Sequence, residues 1–99
     1  MRKVCVVVTA RPSYARVKSV MAAIKKRPDI QLQLVVAASA LLERYGSTVE
    51  YMRADGFEPD EMVYMVLEGE NFVTTAKSTG LGIVELATVF DNLQPDIVV

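Results

Sequence analysis

The sequence predicts an α/β fold: a parallel sheet of strand order 3-2-1-4 held between two helical layers. Three observations lead there. Short β-branched apolar runs alternate with stretches of helical periodicity along the 99 residues, and that alternation builds parallel sheets covered on both faces. Several runs are continuously apolar rather than alternating, as strands buried on both sides are. Right-handed crossovers then put the first strand in the centre, with the second and third on one side and the fourth on the other.

The elements follow in order. Val4 to Thr9 is a β-branched run and the first strand. Pro12 suits the first position of a helix, where its missing N–H costs nothing. Val17, Val20, Met21 and Ile24 make one apolar stripe on that helix. Lys25, Lys26 and Arg27 complement its C-terminal dipole, and Pro28 stops it. Ile30 to Ala38 is the second strand, and "SALLERYG" a short turn or helical piece. "STVE", Ser47 to Glu50, has capping-box spacing, with Gly56 placed just past the helix end. Glu58 to Val66 is a weaker third strand. "LEGEN" is a loop in which Asn71 caps a long helix. That helix carries Phe72, Ala76, Gly80, Ile83, Ala87 and Phe90 along one side. Pro95 ends it, and Asp96 to Val99 is the fourth strand.

Composition narrows the function. Apolar residues are 52% and charged residues 23% of the chain, with net charge −1, the balance of a globular domain. That charge gives no support for a nucleic-acid or acidic-membrane partner. No apolar run reaches 18 residues, and Arg11 and Pro12 cut short the N-terminal run that a signal peptide would need. Cys5 is the single cysteine, so an internal disulfide is impossible and a reducing cytoplasm is the expected setting. It reads as a small core residue. The absence of histidine removes the usual general base and the usual metal ligand. Asp55, Asp60, Glu61, Glu68 and Glu70 have no metal-ligand or paired-carboxylate spacing and read as solvated faces and loops. Met21, Met52, Met62 and Met65 read as core filler. No cofactor or metal is expected.

In an open parallel sheet, ligands lie beyond the carboxyl ends of the strands, where the strand order reverses. Here that place is between the first strand, ending near Arg11, and the fourth, ending at Val99. A strand-to-helix turn binds anions through free N–H groups and the helix dipole. Dinucleotide-binding turns are glycine-rich, whereas "TARPSYA" has no glycine, which argues against nicotinamide or flavin. Arg11 instead offers a planar, permanently charged fork for a phosphate, with the N–H groups of Ser13, Tyr14 and Ala15 behind it and the Thr9 and Ser13 hydroxyls beside it. The sequence leaves open the alternative that Arg11 is a solvated turn residue and Ser13 a local cap. Tyr14 either stacks on a base or sugar or packs its ring on the sheet edge. Ser39, at the end of the second strand on the same edge, is a ligand contact or a plain turn residue. "KSTGLG", Lys77 to Gly82, lacks P-loop spacing; Gly80 and Gly82 read as close-packing helix positions, with Gly80 toward the cleft.

The ordered segments "VCVVVTARPSYARVKSVMAAIKKRPDIQLQLVV", "LLERYGSTVEYMRADGF" and "EGENFVTTAKSTGLGIVELATVFDNLQPDIVV" resemble the start of UDP-N-acetylglucosamine 2-epimerases. The hydrolysing branch, which feeds sialic-acid and related nonulosonate synthesis, is the closer match. The signposts T-x-R-x-x-Y, YG-x-T and L-x-P-D-I-V keep their order. The resemblance implies two Rossmann-like domains in the GT-B arrangement, with a UDP-sugar between them and Arg11 on the UDP part. Ser13 stands where many members carry an acidic residue, Ala15 where some relatives carry a serine that touches the nucleotide, and Ala40 where a histidine is common in the hydrolysing branch. Residues 1–99 are then expected to be a truncated N-terminal Rossmann-like domain, since the chain stops inside an apolar strand. A Gly-Asp-Arg turn and the second domain would follow. UDP contacts fall to Arg11, Ser13, Ala15 and Ser39, no catalytic residue lies in 1–99, and the piece is inactive alone. An uncovered sheet edge predicts a homo-oligomer. A GT-B glycosyltransferase half-domain, or a non-catalytic nucleotide-binding or interaction module, are the other function classes the sequence allows.

Overall fold

The computed structural model of the chain describes residues 1–37, 48–63 and 72–99. Its elements are β1 (Arg2–Val8), α1 (Arg11–Lys25), β2 (Ile30–Ala37), α2 (Thr48–Ala54), β3 (Glu61–Val63), α3 (Phe72–Leu93) and β4 (Ile97–Val98). The four strands form one parallel sheet in the order β3-β2-β1-β4, as the crossover rule requires. Ala38, Ser39 and Ala40, the "SALLERYG" piece, Ser47, positions 64–66 of the third strand, Met65, Glu68, Glu70 and the capping Asn71 all lie outside the described residues.

Strand alternation splits the core into two layers. On one face Val6 and Val8 of β1 and Leu34 and Val36 of β2 pack against Tyr14 and Met21 of α1, Val49 and Met52 of α2, and Phe57. On the other, Cys5, Val35, Ala37 and Val63 pack against Val89 of α3, with Leu86, Phe90 and Leu93 around it. This double burial explains why β1 and β2 read as continuous apolar runs. Burial also pushes the Cys5 thiol pKa up, with the Asp60 charge as a smaller cause, so it is a core side chain and not a nucleophile.

Four sequence expectations change. Helix α1 begins one residue early, with Pro12 second, and its buried residues are Tyr14 and Met21, while Val20 is 47% exposed. On α3 the sheet takes Val89 and Leu86, whereas Ala76, Gly80 and Ala87 are exposed and Ile83 is 67% exposed. The apolar side of that helix is wide, with Val73, Ile83 and Val84 exposed beside it, so periodicity alone does not choose which part of it meets the sheet. An added methyl at Gly80 would meet open space, so this glycine is not a close-packing position, while Gly82 is buried. Met62 points outward from β3 and is exposed, unlike Met21 and Met52, which are fully buried.

Each outer strand starts from a Pro-Asp pair. The Asp60 N–H donates to the Leu34 carbonyl at 2.7 Å, and its carboxylate accepts the Leu34 N–H at 2.7 Å. Asp96 repeats the clasp on β1: its N–H donates to the Lys3 carbonyl at 2.9 Å and its carboxylate accepts the Lys3 N–H at 2.7 Å. A proline lacks the donor for this pairing, so the residue after it makes the first rung. Gly56 ends α2 in the left-handed region at φ 92°, as its place in the sequence implied. Among the described residues, no helix is long and apolar enough to cross a membrane.

Candidate functional site

The site is built on the passage from β1 to α1. Ala10, extended at φ −159°, ψ 165°, occupies the N-cap and makes no side-chain capping bond. A serine or aspartate there would fold its own oxygen onto the helix end; alanine leaves the end open. Pro12 contributes no N–H, and the Tyr14 N–H donates to the Ala10 carbonyl at 3.2 Å, so Tyr14 is not among the donors that face a ligand. By helix geometry the remaining end donors are the N–H groups of Ala10, Arg11 and Ser13. No acidic residue stands in the first turn to offset the dipole. The Thr9 and Ser13 hydroxyls face each other across the turn at 3.5 Å.

Arg11 is the first residue of α1 and is exposed. Its guanidinium carbon lies 4.6 Å from the centre of the Tyr51 ring, on α2. Among the described residues no carboxylate is paired with it. Val7 donates to Val99 at 3.0 Å and Val99 to Cys5 at 2.8 Å. Arg11 therefore stands past the carboxyl end of β1, on the sheet edge where ligands of this architecture bind. The arginine leans onto α2. Ala15, the fifth residue of α1, is exposed and offers only its methyl, since helix geometry commits its N–H to the Arg11 carbonyl. Ser39, the fourth expected contact, lies outside the described residues.

Helices α1 and α2 are laced side by side below Arg11. The Tyr14 hydroxyl donates to the Asp55 carboxylate, and Lys18 pairs with the same carboxylate at 3.0 Å. Lys25 donates to the Gly56 carbonyl and sits 5.2 Å above the Phe57 ring. Burial, then the Asp55 hydrogen bond, push the Tyr14 pKa up; the Tyr14 hydroxyl, then Lys18, hold the Asp55 carboxyl below the usual range. Tyr14 is thus a core and lacing residue rather than a ligand platform. Tyr51, Asp55 and Asp60 were not legible as special in sequence, since their partners come from other elements. Tyr51 carries no local signal beyond being an aromatic on an exposed helix position.

A cavity of about 330 Å³ lies elsewhere, between Lys25, Ile30, Leu32, Leu34, Gly56, Phe57, Glu58 and Asp60. It flanks the first half of β2, where β3 has not yet begun to pair, so it is far along the sheet from Arg11. The Arg11 edge, among the described residues, presents the exposed guanidinium and the open end of α1. Among the described residues, no group of three or more His, Cys, Asp or Glu could hold a metal ion.

Comparison with known proteins adds a second line. No family model matches the chain. It is 28% identical over 98 residues to a UDP-N,N′-diacetylbacillosamine 2-epimerase (hydrolyzing) of Legionella pneumophila, spanning 99% of this chain and 26% of that protein. It is 24% identical over 98 residues to a GDP/UDP-N,N′-diacetylbacillosamine 2-epimerase (hydrolyzing) of Campylobacter jejuni, spanning 99% and 25%. A crystal structure of UDP-N-acetylglucosamine 2-epimerase superposes with TM-score 0.77 at 25% identity, over 98% of this chain and 25% of that one. The homologues and structural neighbours of this chain are thus nucleotide-sugar 2-epimerases, and it spans about a quarter of their length.

Proposed function

We propose that this chain is the diphosphate-gripping N-terminal part of a hydrolysing UDP-N-acetylglucosamine 2-epimerase. The observation that carries the proposal is the position of Arg11. The arginine that the resembled family directs at UDP falls at the open helix end on the ligand-binding edge of the sheet, with no carboxylate partner among the described residues. In that reaction the proton at C2 of the sugar is removed and the C1–O bond to UDP breaks, giving a 2-acetamidoglucal and UDP. Water then adds across the double bond to give N-acetylmannosamine. Negative charge develops on the departing diphosphate, and a fixed guanidinium with helix-end N–H groups stabilises charge that appears there. Arg11, Ser13, Ala15 and Ser39 hold the UDP part; no residue of 1–99 is assigned the proton transfers. The chain spans about a quarter of the length of its relatives, so catalysis is assigned to the complete natural polypeptide and this stretch alone is inactive. The isolated stretch self-associates through its uncovered sheet edge in the same reading, and a monomer by light scattering at high concentration would remove that part of it.

The names of the two relatives favour a second substrate, UDP-N,N′-diacetylbacillosamine, on the same chemistry. Incubating the complete polypeptide with each UDP-sugar separates the possibilities. Release of UDP with a 2-epimerised free sugar from one substrate identifies it. A 2-epimer that keeps its UDP assigns the non-hydrolysing reaction. Neither UDP release nor 2-epimer from either substrate overturns the proposal.

A further inference from the structure

Arg11 lies over the Tyr51 ring and, among the described residues, is paired with no carboxylate, and that arrangement bears on how it would receive a ligand. A carboxylate partner uses up in-plane N–H donors, whereas an aromatic face beneath the guanidinium touches only its plane and leaves the donor edge open. A long exposed side chain otherwise samples many rotamers, and a ligand must freeze them on binding. The Tyr51 ring, 4.6 Å from the guanidinium carbon, limits that freedom beforehand.

The ring can act this way only if it is itself fixed. Its neighbours on α2, Val49 and Met52, are buried, which anchors the helix on the sheet. The Tyr14 and Lys18 contacts to Asp55 and the Lys25 contact to Gly56 tie α2 laterally to α1, the helix that carries Arg11. Tyr51 is 49% exposed and no hydrogen bond of its hydroxyl is recorded among the described residues, so the face of the ring is the part in use.

We infer that Tyr51 is a positioning residue for a nucleoside diphosphate: it holds the Arg11 fork in the plane that receives the diphosphate, without touching the ligand. This rests on the reading of Arg11 as the diphosphate contact. The test is a calorimetric titration of UDP into the complete polypeptide as wild type, Tyr51→Phe, Tyr51→Ala, Arg11→Ala and the Arg11→Ala/Tyr51→Ala double variant. Arg11→Ala weakens UDP binding by roughly 10-fold or more. Tyr51→Ala weakens it by roughly 2- to 5-fold, Tyr51→Phe binds as wild type, and the double variant is no weaker than Arg11→Ala. Without ligand, the Arg11 side-chain N–H resonance is shifted upfield by the ring in wild type and Tyr51→Phe, and moves to the free-arginine position in Tyr51→Ala. That readout holds even if Arg11→Ala abolishes binding. If Arg11→Ala leaves UDP affinity intact, the diphosphate reading itself falls. If Arg11→Ala weakens binding but the Tyr51→Ala loss persists in full in the double variant, or Tyr51→Phe is as weak as Tyr51→Ala, or the resonance does not move, the positioning role is overturned while the Arg11 reading stands.

Discussion

Asp60 and Asp96 make the same two-bond clasp at opposite sides of the sheet, in different surroundings, and the difference sets a measurable cost. The amide that Asp60 accepts belongs to Leu34, which is 1% exposed at the heart of one core layer. Truncation in Asp60→Ala strips that part-buried N–H of its acceptor beside the cavity that Leu34 and Asp60 line, a loss of about 1–2 kcal/mol. The amide that Asp96 accepts belongs to Lys3, which is half-buried, but the bond itself is open to solvent. Water replaces the carboxylate there, and Asp96→Ala costs less than about 1 kcal/mol. Asparagine keeps an acceptor oxygen at the same reach, so Asp60→Asn recovers most of the loss. Urea unfolding followed by far-ultraviolet circular dichroism measures all three, provided the m-values agree. Equal costs for Asp60→Ala and Asp96→Ala, or an Asp60→Asn as damaging as Asp60→Ala, would refute the claim that burial of the Leu34 amide sets the energy.

Three other perturbations test other links of the chain of causes. Gly56→Ala costs roughly 1–2 kcal/mol in the same unfolding assay, because a Cβ at φ 92° is strained although its nearest neighbour, Lys25 Nζ, lies at an ordinary 3.6 Å; Gly56→Asn costs less, and no cost in either would contradict the strain argument. Met52→Ala opens a fully buried site and costs about 2–5 kcal/mol, while Met62→Ala at an exposed position stays within about 0.5 kcal/mol; similar values for the pair would place Met62 in the core after all. Asp55 has a depressed folded-state pKa, so its stabilising contribution is present above the unfolded carboxylate range near about 4 and is lost as pH falls through the lower folded value. Unfolding measured from neutral pH down to about 3 is therefore less acid-sensitive in Asp55→Asn than in wild type, and identical acid slopes would remove the Tyr14–Asp55–Lys18 tie from the account.

The sequence by itself determined the sheet and its order, and set Arg11 at the turn from the first strand to the first helix. Continuous apolar runs with intervening helical periods admit few parallel topologies, and handedness selects among them, so β3-β2-β1-β4 followed from local pattern plus one chiral rule. Arg11 at a strand-to-helix turn was equally legible, because a strand end and a helix-starting proline are written within a few residues, whereas the uncapped start at Ala10 came only from the structure. Only the tertiary structure decided which part of α3 meets the sheet, since a helix with a wide apolar side carries no preferred line of contact until a neighbour supplies one. Only it decided, too, that Tyr14 belongs to the core and the helix lacing, and that Tyr51 lies under Arg11. Those pairings join positions some 40 residues apart, and contacts of that kind arise from packing two helices on one sheet face, not from any spacing along the chain.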